Sequence, residues 1–201
     1  MPVIFAELAT TFRPKEVSDP DSPVAAANGQ YLLIRRDAYD AVGGHAAVAT
    51  AILEDVELAR RVKQAGYRLQ FRTSDVVRTR MYRTFGQMWE GWTKNVALLF
   101  QRPIWLAAKR LLEFGLILAC AAGLIVGIAD ADHMGIVINT ALVVTMLIFF
   151  WRRIRRAHFD WLSNACAVFG LPLFAFILVN SVIAHNSGKV SWKGRVYRSS
   201  N

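Results

Sequence analysis

Two adjacent carboxylates, Glu54 and Asp55, are the residues with the clearest potential for chemistry. They stand near the start of ILEDVELARRVKQAGYRLQF, residues 52–71, a stretch with the spacing of an amphipathic helix. Negative charge at a helix start complements the positive end of the helix dipole, which is the ordinary role of such a pair. A carboxylate within hydrogen-bond reach can also take a proton from a reacting hydroxyl. The residues around the pair are needed to distinguish between these two roles.

Other residues that could bind metals or form crosslinks are poorly arranged for it. Asp19 and Asp21 in SDPDS resemble an Asp-x-Asp metal motif, but the flanking prolines favour a turn. Cys120 and Cys166 lie within apolar runs and are interpreted as small hydrophobic residues. The four histidines are scattered and form no ligand pair. We therefore predict neither a disulfide framework nor a metal site in this chain.

The residues ahead of position 95 show the patterns of a soluble α/β domain. Helical spacing of Ile52, Val56, Ala59 and Val62 predicts a helix that Gly66 closes. Further helices are predicted at residues 38–42 and 86–95, and strands at residues 29–36 and 67–71. The order predicts an α/β sheet with too few strands to be complete. We expect the second half of a domain, with the apolar face of its sheet exposed.

The rest of the chain is dominated by three apolar runs at residues 111–129, 134–151 and 161–184. A helix needs roughly 20 apolar residues to cross a bilayer core of about 30 Å. Three such runs predict a multi-pass membrane protein. The net charge of +9 does not favour a nucleic-acid partner, because the basic residues cluster beside the apolar runs, where they indicate cytoplasmic loops and membrane lipid.

These charges predict the orientation in a bacterial-type inner (plasma) membrane, with the soluble part in the cytoplasm. The four arginines of WRRIRRAH place the loop after the second run inside. Residues 96–110 mix aromatic, aliphatic and basic side chains, which suits an interfacial helix, although an ordinary linker helix fits nearly as well. The third run contains GLP, residues 170–172, and a break there would return the basic tail to the cytoplasm.

The order of four stretches resembles the membrane-bound members of glycosyltransferase family 2, whose relatives include ceramide glucosyltransferases and the glycosyltransferases of carotenoid and hopanoid pathways. The stretches are NGQYLLIRRDAYDAVGGHAAV, LEDVELARRVKQAGYRL, MYRTFGQMWEGWTKN and WKGRVY. The resemblance implies that residues 1–95 are the C-terminal half of a GT-A catalytic domain, an α/β fold. An interfacial helix at 96–110 and a membrane region at 111–201 would follow it.

The resemblance also assigns roles to residues near the carboxylate pair. Asp55 is implied to be the general base that deprotonates an acceptor hydroxyl, with inversion at the sugar carbon. Glu54 would position the acceptor or cap its helix. Asn28, Gly29 and Gln30 fall where the family lines the acceptor pocket, and a glycine there lets a ligand approach the backbone closely.

A second implied group of residues would hold the diphosphate at the membrane interface. The family has a (Q/R)xxRW motif, and QMWEGW keeps Gln87 and Trp92 but has one extra residue and Gly91 in place of the arginine. Arg195 of WKGRVY, next to Trp192, is the candidate guanidinium for the phosphate. Alternatively, the tryptophans anchor the helix at the interface and the tail binds lipid headgroups.

The implied partners are a nucleotide sugar, a lipid-type acceptor and the membrane lipid. The family uses a divalent metal, Mg or Mn, held by an Asp-x-Asp motif in a nucleotide-binding half that we do not find in this chain. The donor site is therefore predicted to be incomplete and the chain alone inactive. The alternative function is a non-catalytic membrane subunit or a partner-binding membrane module. A transporter is disfavoured because no ionisable residue lies in the middle of an apolar run.

Overall fold

The computed structural model describes residues 1–72, 79–192 and 195–197. The described chain forms two compact units. Unit 1 contains Met1–Leu8 and Phe100–Ile183, and unit 2 contains Ala9–Leu99 and Ala184–Asn201. In chain order the elements are α1 (Pro2–Thr11), α2 (Pro14–Ser18), α3 (Arg36–Ala41), a 3-10 helix (Gly44–Val48), α4 (Glu54–Gln64), α5 (Phe85–Leu99), α6 (Pro103–Ala129), α7 (His133–Ile154), a 3-10 helix (Arg155–Ala157), α8 (Trp161–Ala165), a 3-10 helix (Cys166–Phe169), α9 (Gly170–Asn186), β1 (Val190–Trp192) and β2 (Arg195–Tyr197).

Three helical segments are long and apolar enough to cross a membrane: Pro103–Ala129, His133–Ala157 and Trp161–Asn186. They contain the three apolar runs, so the prediction of membrane-capable helices is confirmed. Many of their large apolar side chains are exposed, such as Val137, Ile148 and Phe149. In water such exposure would be costly, whereas hydrocarbon around these helices would remove the cost. The segments therefore indicate membrane association.

Helices α6 and α7 pack closely because two glycines four residues apart face the partner helix. A Cβ atom added to Gly123 would lie 2.7 Å from Asn139 Oδ1, and one added to Gly127 would lie 3.2 Å from the Ile136 nitrogen. Small residues at this spacing allow helix backbones to approach in membranes. Asn139 also donates from Nδ2 to the Gly135 carbonyl oxygen at 2.9 Å, so its amide group is hydrogen-bonded within its own helix.

The third apolar segment changes its helical geometry beside the GLP sequence. After α8 the chain tightens into the 3-10 helix Cys166–Phe169, and α9 then begins at Gly170. Pro172 lies in the first turn of α9, where a missing N–H removes no helix hydrogen bond. The proline is thus placed at a helix start. Residues 96–110, predicted as one interfacial helix, are divided between the end of α5 and the start of α6.

The prediction of an α/β partial GT-A domain is wrong for the described residues. They are mainly helical, and β1 and β2 form a two-stranded antiparallel hairpin with Trp192 opposite Arg195. In the predicted strand at residues 29–36, residues 29–31 instead lie in a turn and Arg36 begins α3, and neither this segment nor residues 67–71 pairs with a strand within the described part of the chain. Sheet formation needs a neighbouring backbone in register, and alternation in the sequence cannot supply one.

Helix α4 follows the predicted pattern closely. Val56, Leu58, Ala59 and Val62 are buried, and Gly66 ends the helix with φ of +83°. The Tyr67 N–H bonds the Val62 carbonyl oxygen and the Gly66 N–H bonds that of Lys63, which satisfies carbonyl groups left open by the helix end. This helix presents its first turn, with Glu54 and Asp55, to the loop around Gly29.

Candidate functional site

Asp55 is held by two backbone N–H groups at the start of α4. Its Oδ2 accepts a hydrogen bond from the Gly29 nitrogen at 2.7 Å, and its Oδ1 accepts one from the Val56 nitrogen at 2.8 Å. Leu53, at the N-cap position, offers no capping side chain, so the carboxylates of the first turn supply the negative charge there. Both roles considered for the pair are compatible with this position.

The loop that meets Asp55 is a tight polar turn at residues 28–31. The Tyr31 nitrogen donates to the Asn28 carbonyl oxygen at 3.0 Å, and the Gln30 nitrogen donates to Asn28 Oδ1 at 3.2 Å. The turn is exposed at all four of its residues. A Cβ atom on Gly29 would lie 3.4 Å from Asp55 Oδ2, so the glycine permits a close approach by the carboxylate. The structure therefore brings the predicted base and the predicted acceptor loop together.

Glu54 is exposed beside Asp55 and has no hydrogen-bond partner among the described residues. Glu57, one turn further along α4, is paired with Arg60 at 2.6 Å and with Arg61 at 3.4 Å. Of the three carboxylates in the first turn, Asp55 is thus the one fixed by the backbone of another loop.

Lys63 fixes the chain that leads into the turn at residues 28–31. Its Nζ donates to the Val24 carbonyl oxygen at 2.7 Å and to the Val17 carbonyl oxygen at 3.0 Å. Ser18 accepts from the Phe71 nitrogen at 2.9 Å, which ties the same loop to the segment after α4. The loop also contains the Asp19–Asp21 turn, in which the Asp21 nitrogen donates to Asp19 Oδ1 as expected for a turn.

A cavity of about 340 Å³ lies beside the first two turns of α4 in unit 2. Its apolar wall includes Phe12, Ala25, Ala51, Leu53 and Val56. Leu98 and Leu99, at the end of α5, complete that wall, while Glu57 and Arg60 line a polar part of it. We name this space the α4 cavity.

The predicted interface residues Trp92 and Trp192 meet through Tyr82. Its ring packs edge-on against Trp92 at 6.2 Å between centroids and against Trp192 at 6.1 Å. Burial raises the pKa of the Tyr82 phenol to about 12, because the ionised form would be poorly solvated. This aromatic cluster joins α5 to the β1–β2 hairpin, and a hydrogen bond from Ser191 Oγ to Glu90 Oε1 at 3.3 Å reinforces the contact.

The aromatic cluster explains why Gly91 stands where the resembled motif has an arginine. A Cβ atom at position 91 would lie 2.6 Å from Tyr82 Cε1 and from its Oη. The Tyr82 ring occupies this space between two tryptophans, so it has little freedom to move away. The glycine therefore makes room for the cluster, a reason that the motif alone does not reveal.

Gln87 stabilises the start of α5 through two hydrogen bonds. The Thr84 hydroxyl accepts from the Gln87 nitrogen at 3.2 Å, and Gln87 Oε1 accepts from the Arg83 nitrogen at 3.0 Å. This reciprocal arrangement resembles a capping box, which satisfies open N–H groups at a helix start. The side chain of Arg195 lies outside the described part of the chain. Its backbone pairs with Trp192 in the hairpin.

Sequence reasoning missed a buried cluster of four charged side chains in unit 1. Arg110 contacts Glu7 at 3.0 Å and Glu113 at 2.5 Å, while Arg153 contacts Glu113 at 2.9 Å and Glu7 at 3.5 Å. Their side chains are 7 to 19% exposed. The available signal was Glu113, a charge inside an apolar run that needs a partner nearby. We name Glu7, Arg110, Glu113 and Arg153 the ion cluster.

The described residues do not form a site for a divalent metal. In that part of the chain no three histidine, cysteine or carboxylate side chains come together. Both oxygens of Asp55 already accept backbone hydrogen bonds.

Helices able to cross a membrane, together with a polar unit that fixes a carboxylate at a helix start, define a membrane-associated protein with a candidate catalytic base. The model of Glycosyl transferase family 21 matches residues 6–201, and the chain belongs to this family. The expected glycosyltransferase class is thereby confirmed, although the match is to family 21 and does not show family 2. No match is found among curated proteins or among solved structures.

Proposed function

We propose that this chain acts in an inverting glycosyl transfer from a nucleotide sugar to a lipid-type acceptor, with Asp55 as the general base. The observation that carries the proposal is the Asp55–Gly29 contact of 2.7 Å, which joins a helix-start carboxylate to an exposed turn in a chain of a glycosyltransferase family. Asn28, Gly29 and Gln30 would border the acceptor hydroxyl. The membrane-capable helices support an acceptor that arrives from the bilayer.

The hydrogen bonds of Asp55 leave room for a substrate. Each carboxylate oxygen has two lone-pair sites, and one backbone N–H occupies one site on each oxygen. A hydroxyl can donate to a remaining site while the backbone bonds keep the carboxylate from rotating. This fixed orientation is what a general base needs, because proton transfer depends on hydrogen-bond geometry.

In the proposed reaction the acceptor oxygen attacks the anomeric carbon as its proton passes to Asp55. The new carbon–oxygen bond forms while the bond from that carbon to the diphosphate oxygen breaks. The nucleoside diphosphate leaves with the electron pair of the broken bond. A single displacement from the opposite face inverts the anomeric configuration. Glu54, exposed beside the base, would position the acceptor or the proton.

The leaving diphosphate needs positive charge and hydrogen-bond donors. We assign this role to Arg195, with Trp92 and Trp192 holding the hairpin against α5. Gln87 would contribute its amide N–H donors, since its amide oxygen accepts from the Arg83 nitrogen. The arginine-rich end of α7 favours a cytoplasmic position for that end of the helix. The role of Arg195 requires the basic tail to lie on the same side, where nucleotide sugars are supplied.

The test is to replace Asp55 by Asn in the gene at its natural locus, so that any other polypeptide that the reaction needs is present. Asparagine keeps an oxygen that can accept from Gly29 but cannot take the proton. We expect sugar transfer from nucleotide sugars to lipid extracts to fall by about 10²–10⁴-fold. The matched control is Asp40→Asn, which removes an exposed carboxylate on α3 and should leave the rate unchanged.

A transfer rate in Asp55→Asn membranes within a factor of two of the wild type would reject Asp55 as the base. Absence of gene-dependent transfer in wild-type membranes would favour the non-catalytic membrane subunit instead. The anomeric configuration of the product, measured by NMR, tests inversion independently of the residue assignments.

A further inference from the structure

We propose that one end of unit 1 binds the phosphate headgroup of an anionic phospholipid. This end is formed by the start of α6 and the end of α7, and its exposed cations include Arg102, Lys109, Arg152 and Arg155. We name these four residues the basic end. The lipid belongs to the surrounding membrane, and its binding does not depend on the role proposed for Asp55.

The ion cluster holds the two helices of the basic end together. Glu113 contacts Arg153 at 2.9 Å, so the first half of α6 lies against the last turn of α7. In the sequence Lys109 stands beside Arg110 of the cluster, and Arg152 likewise stands beside Arg153. The buried cluster and the exposed cations therefore occupy the same end of the helix pair.

The carboxylates near this end are already engaged. Glu7 and Glu113 pair with the two arginines of the ion cluster. Asp160 accepts hydrogen bonds from the Ser163 nitrogen at 2.9 Å and from its hydroxyl at 2.7 Å, as the cap of α8. Within the part of the chain that the structure describes, the four cations of the basic end form no ion pair with a carboxylate. Their positive charge is available to an external anion.

Exposed aromatic side chains beside the basic end favour a lipid over a water-soluble anion. Trp105 is 68% exposed and Trp161 is 73% exposed. Each stands within the first three residues of a membrane-capable segment, a position where tryptophan rings commonly lie at headgroup level. A phospholipid can contact the cations through its phosphate and the rings through its apolar part, whereas inorganic phosphate can use the cations alone.

The other end of the α6–α7 pair has the opposite charge. The short turn between the two helices contains Asp130 and Asp132, and both are exposed. Basic residues beside a membrane helix attract anionic lipid, and acidic residues repel it. This asymmetry assigns the phosphate to the basic end.

The experiment measures lipid binding to the full chain in non-ionic detergent micelles by native mass spectrometry, with phosphatidylglycerol and phosphatidylcholine as probes. We expect phosphatidylglycerol to bind about tenfold more tightly than phosphatidylcholine. In Arg152→Gln/Arg155→Gln this preference should fall to within about twofold. The matched control is Arg35→Gln/Arg36→Gln, which removes the same charge from two exposed arginines that pair with carboxylates of α3, and it should keep the preference.

Equal binding of the two lipids by the wild type would overturn the proposal. So would a preference that survives in Arg152→Gln/Arg155→Gln, or one that the control variant loses to the same extent. Arg152→Lys/Arg155→Lys retains both charges and should retain the preference. A loss in that variant would also count against the proposal, because charge would then not be what binds the lipid.

Competition distinguishes a membrane lipid from a soluble anion. Inorganic phosphate at the same concentration as the lipid should not displace phosphatidylglycerol, since it lacks an apolar part, and Trp161→Ala should weaken the binding of phosphatidylglycerol. Displacement by inorganic phosphate, or unchanged binding in both Trp105→Ala and Trp161→Ala, would overturn the assignment to a lipid. Asp55→Asn should bind phosphatidylglycerol like the wild type, so a failure of the catalytic proposal appears in sugar transfer and a failure of this one appears in lipid binding.

Discussion

The ion cluster lies in unit 1. In unit 2, Asp55 and the turn at residues 28–31 that it contacts form a second carboxylate arrangement, which we call the Asp55 turn. Both depend on carboxylates, but their surroundings differ. Glu7 and Arg110 are each 7% exposed at the side chain, and every charge of the cluster faces an opposite one. Asp55 is half-buried, and its recorded partners are backbone N–H groups. One arrangement neutralises its carboxylates with buried cations, whereas the other fixes a carboxylate and leaves lone pairs open.

This difference separates stability from reactivity. A buried ion cluster is costly to disrupt, because any charge left without a partner remains desolvated. A half-buried carboxylate that bonds to backbone N–H groups contributes less to stability and stays accessible to a substrate. The cluster should therefore govern the folding of unit 1, and the Asp55 turn should govern turnover.

The largest effect on stability is expected from Arg110→Met. This substitution removes one of the two cations of the cluster, and Arg153 then has to pair with both Glu7 and Glu113. We expect the free energy of unfolding, measured by denaturant titration in detergent micelles, to fall by about 3–5 kcal/mol. Lys109→Met, an exposed neighbour on the same helix, is the matched control and should change it little. Equal effects of the two substitutions would show that the cluster does not stabilise unit 1.

A smaller effect is expected from a methyl group at position 91. Gly91→Ala forces Cβ against the Tyr82 ring, which Trp92 and Trp192 confine. We expect a loss of about 1–3 kcal/mol of stability, as for other overpacked sites. In Gly86→Ala, on the same helix, the nearest atom is Thr84 Oγ1 at 4.0 Å, so that variant should be neutral or slightly stabilising. A neutral Gly91→Ala would mean that the aromatic cluster adapts easily.

The smallest effect is expected at the exposed ion pair of Arg35 and Asp37. The pKa of the Asp37 carboxyl lies below its ordinary value, and the main cause is the hydrogen bond that Arg35 donates to it. The stabilisation that this ion pair adds to the folded state is present at neutral pH and is lost as the pH falls through the lowered pKa of Asp37. Arg35→Ala should raise this pKa, measured by carbon NMR, without a measurable change in the unfolding midpoint at pH 7. A clear loss of stability at pH 7 would contradict the contrast between buried and exposed charges.

The sequence predicted features that depend on local spacing. The helical period of Val56, Ala59 and Val62 predicted α4, and the apolar runs predicted the membrane-capable helices. Asp55 and Gly29 lie in two different stretches of the family resemblance, and that resemblance placed both of them at the acceptor site. Their separation of 26 residues could not have been bridged by periodicity alone.

The features that the sequence failed to predict depend on distant residues. Residues 29–36 have the apolar centre expected of a strand, but their first residues form a turn and the described chain provides no neighbouring strand. Glu7 and Arg110 are 103 residues apart, so their pairing has no local signature. Gly91 appeared to be a lost arginine, and only the position of Tyr82 shows why a glycine is required there.

The most direct test of the account is to measure stability and sugar transfer together in Asp55→Asn and Arg110→Met. Asp55→Asn should reduce transfer by about 10²–10⁴-fold while its unfolding free energy stays near that of the wild type. Arg110→Met should lose stability, and its remaining folded fraction should keep Asp55-dependent transfer. If folded Asp55→Asn transfers sugar at the wild-type rate, the assignment of Asp55 as the base is wrong.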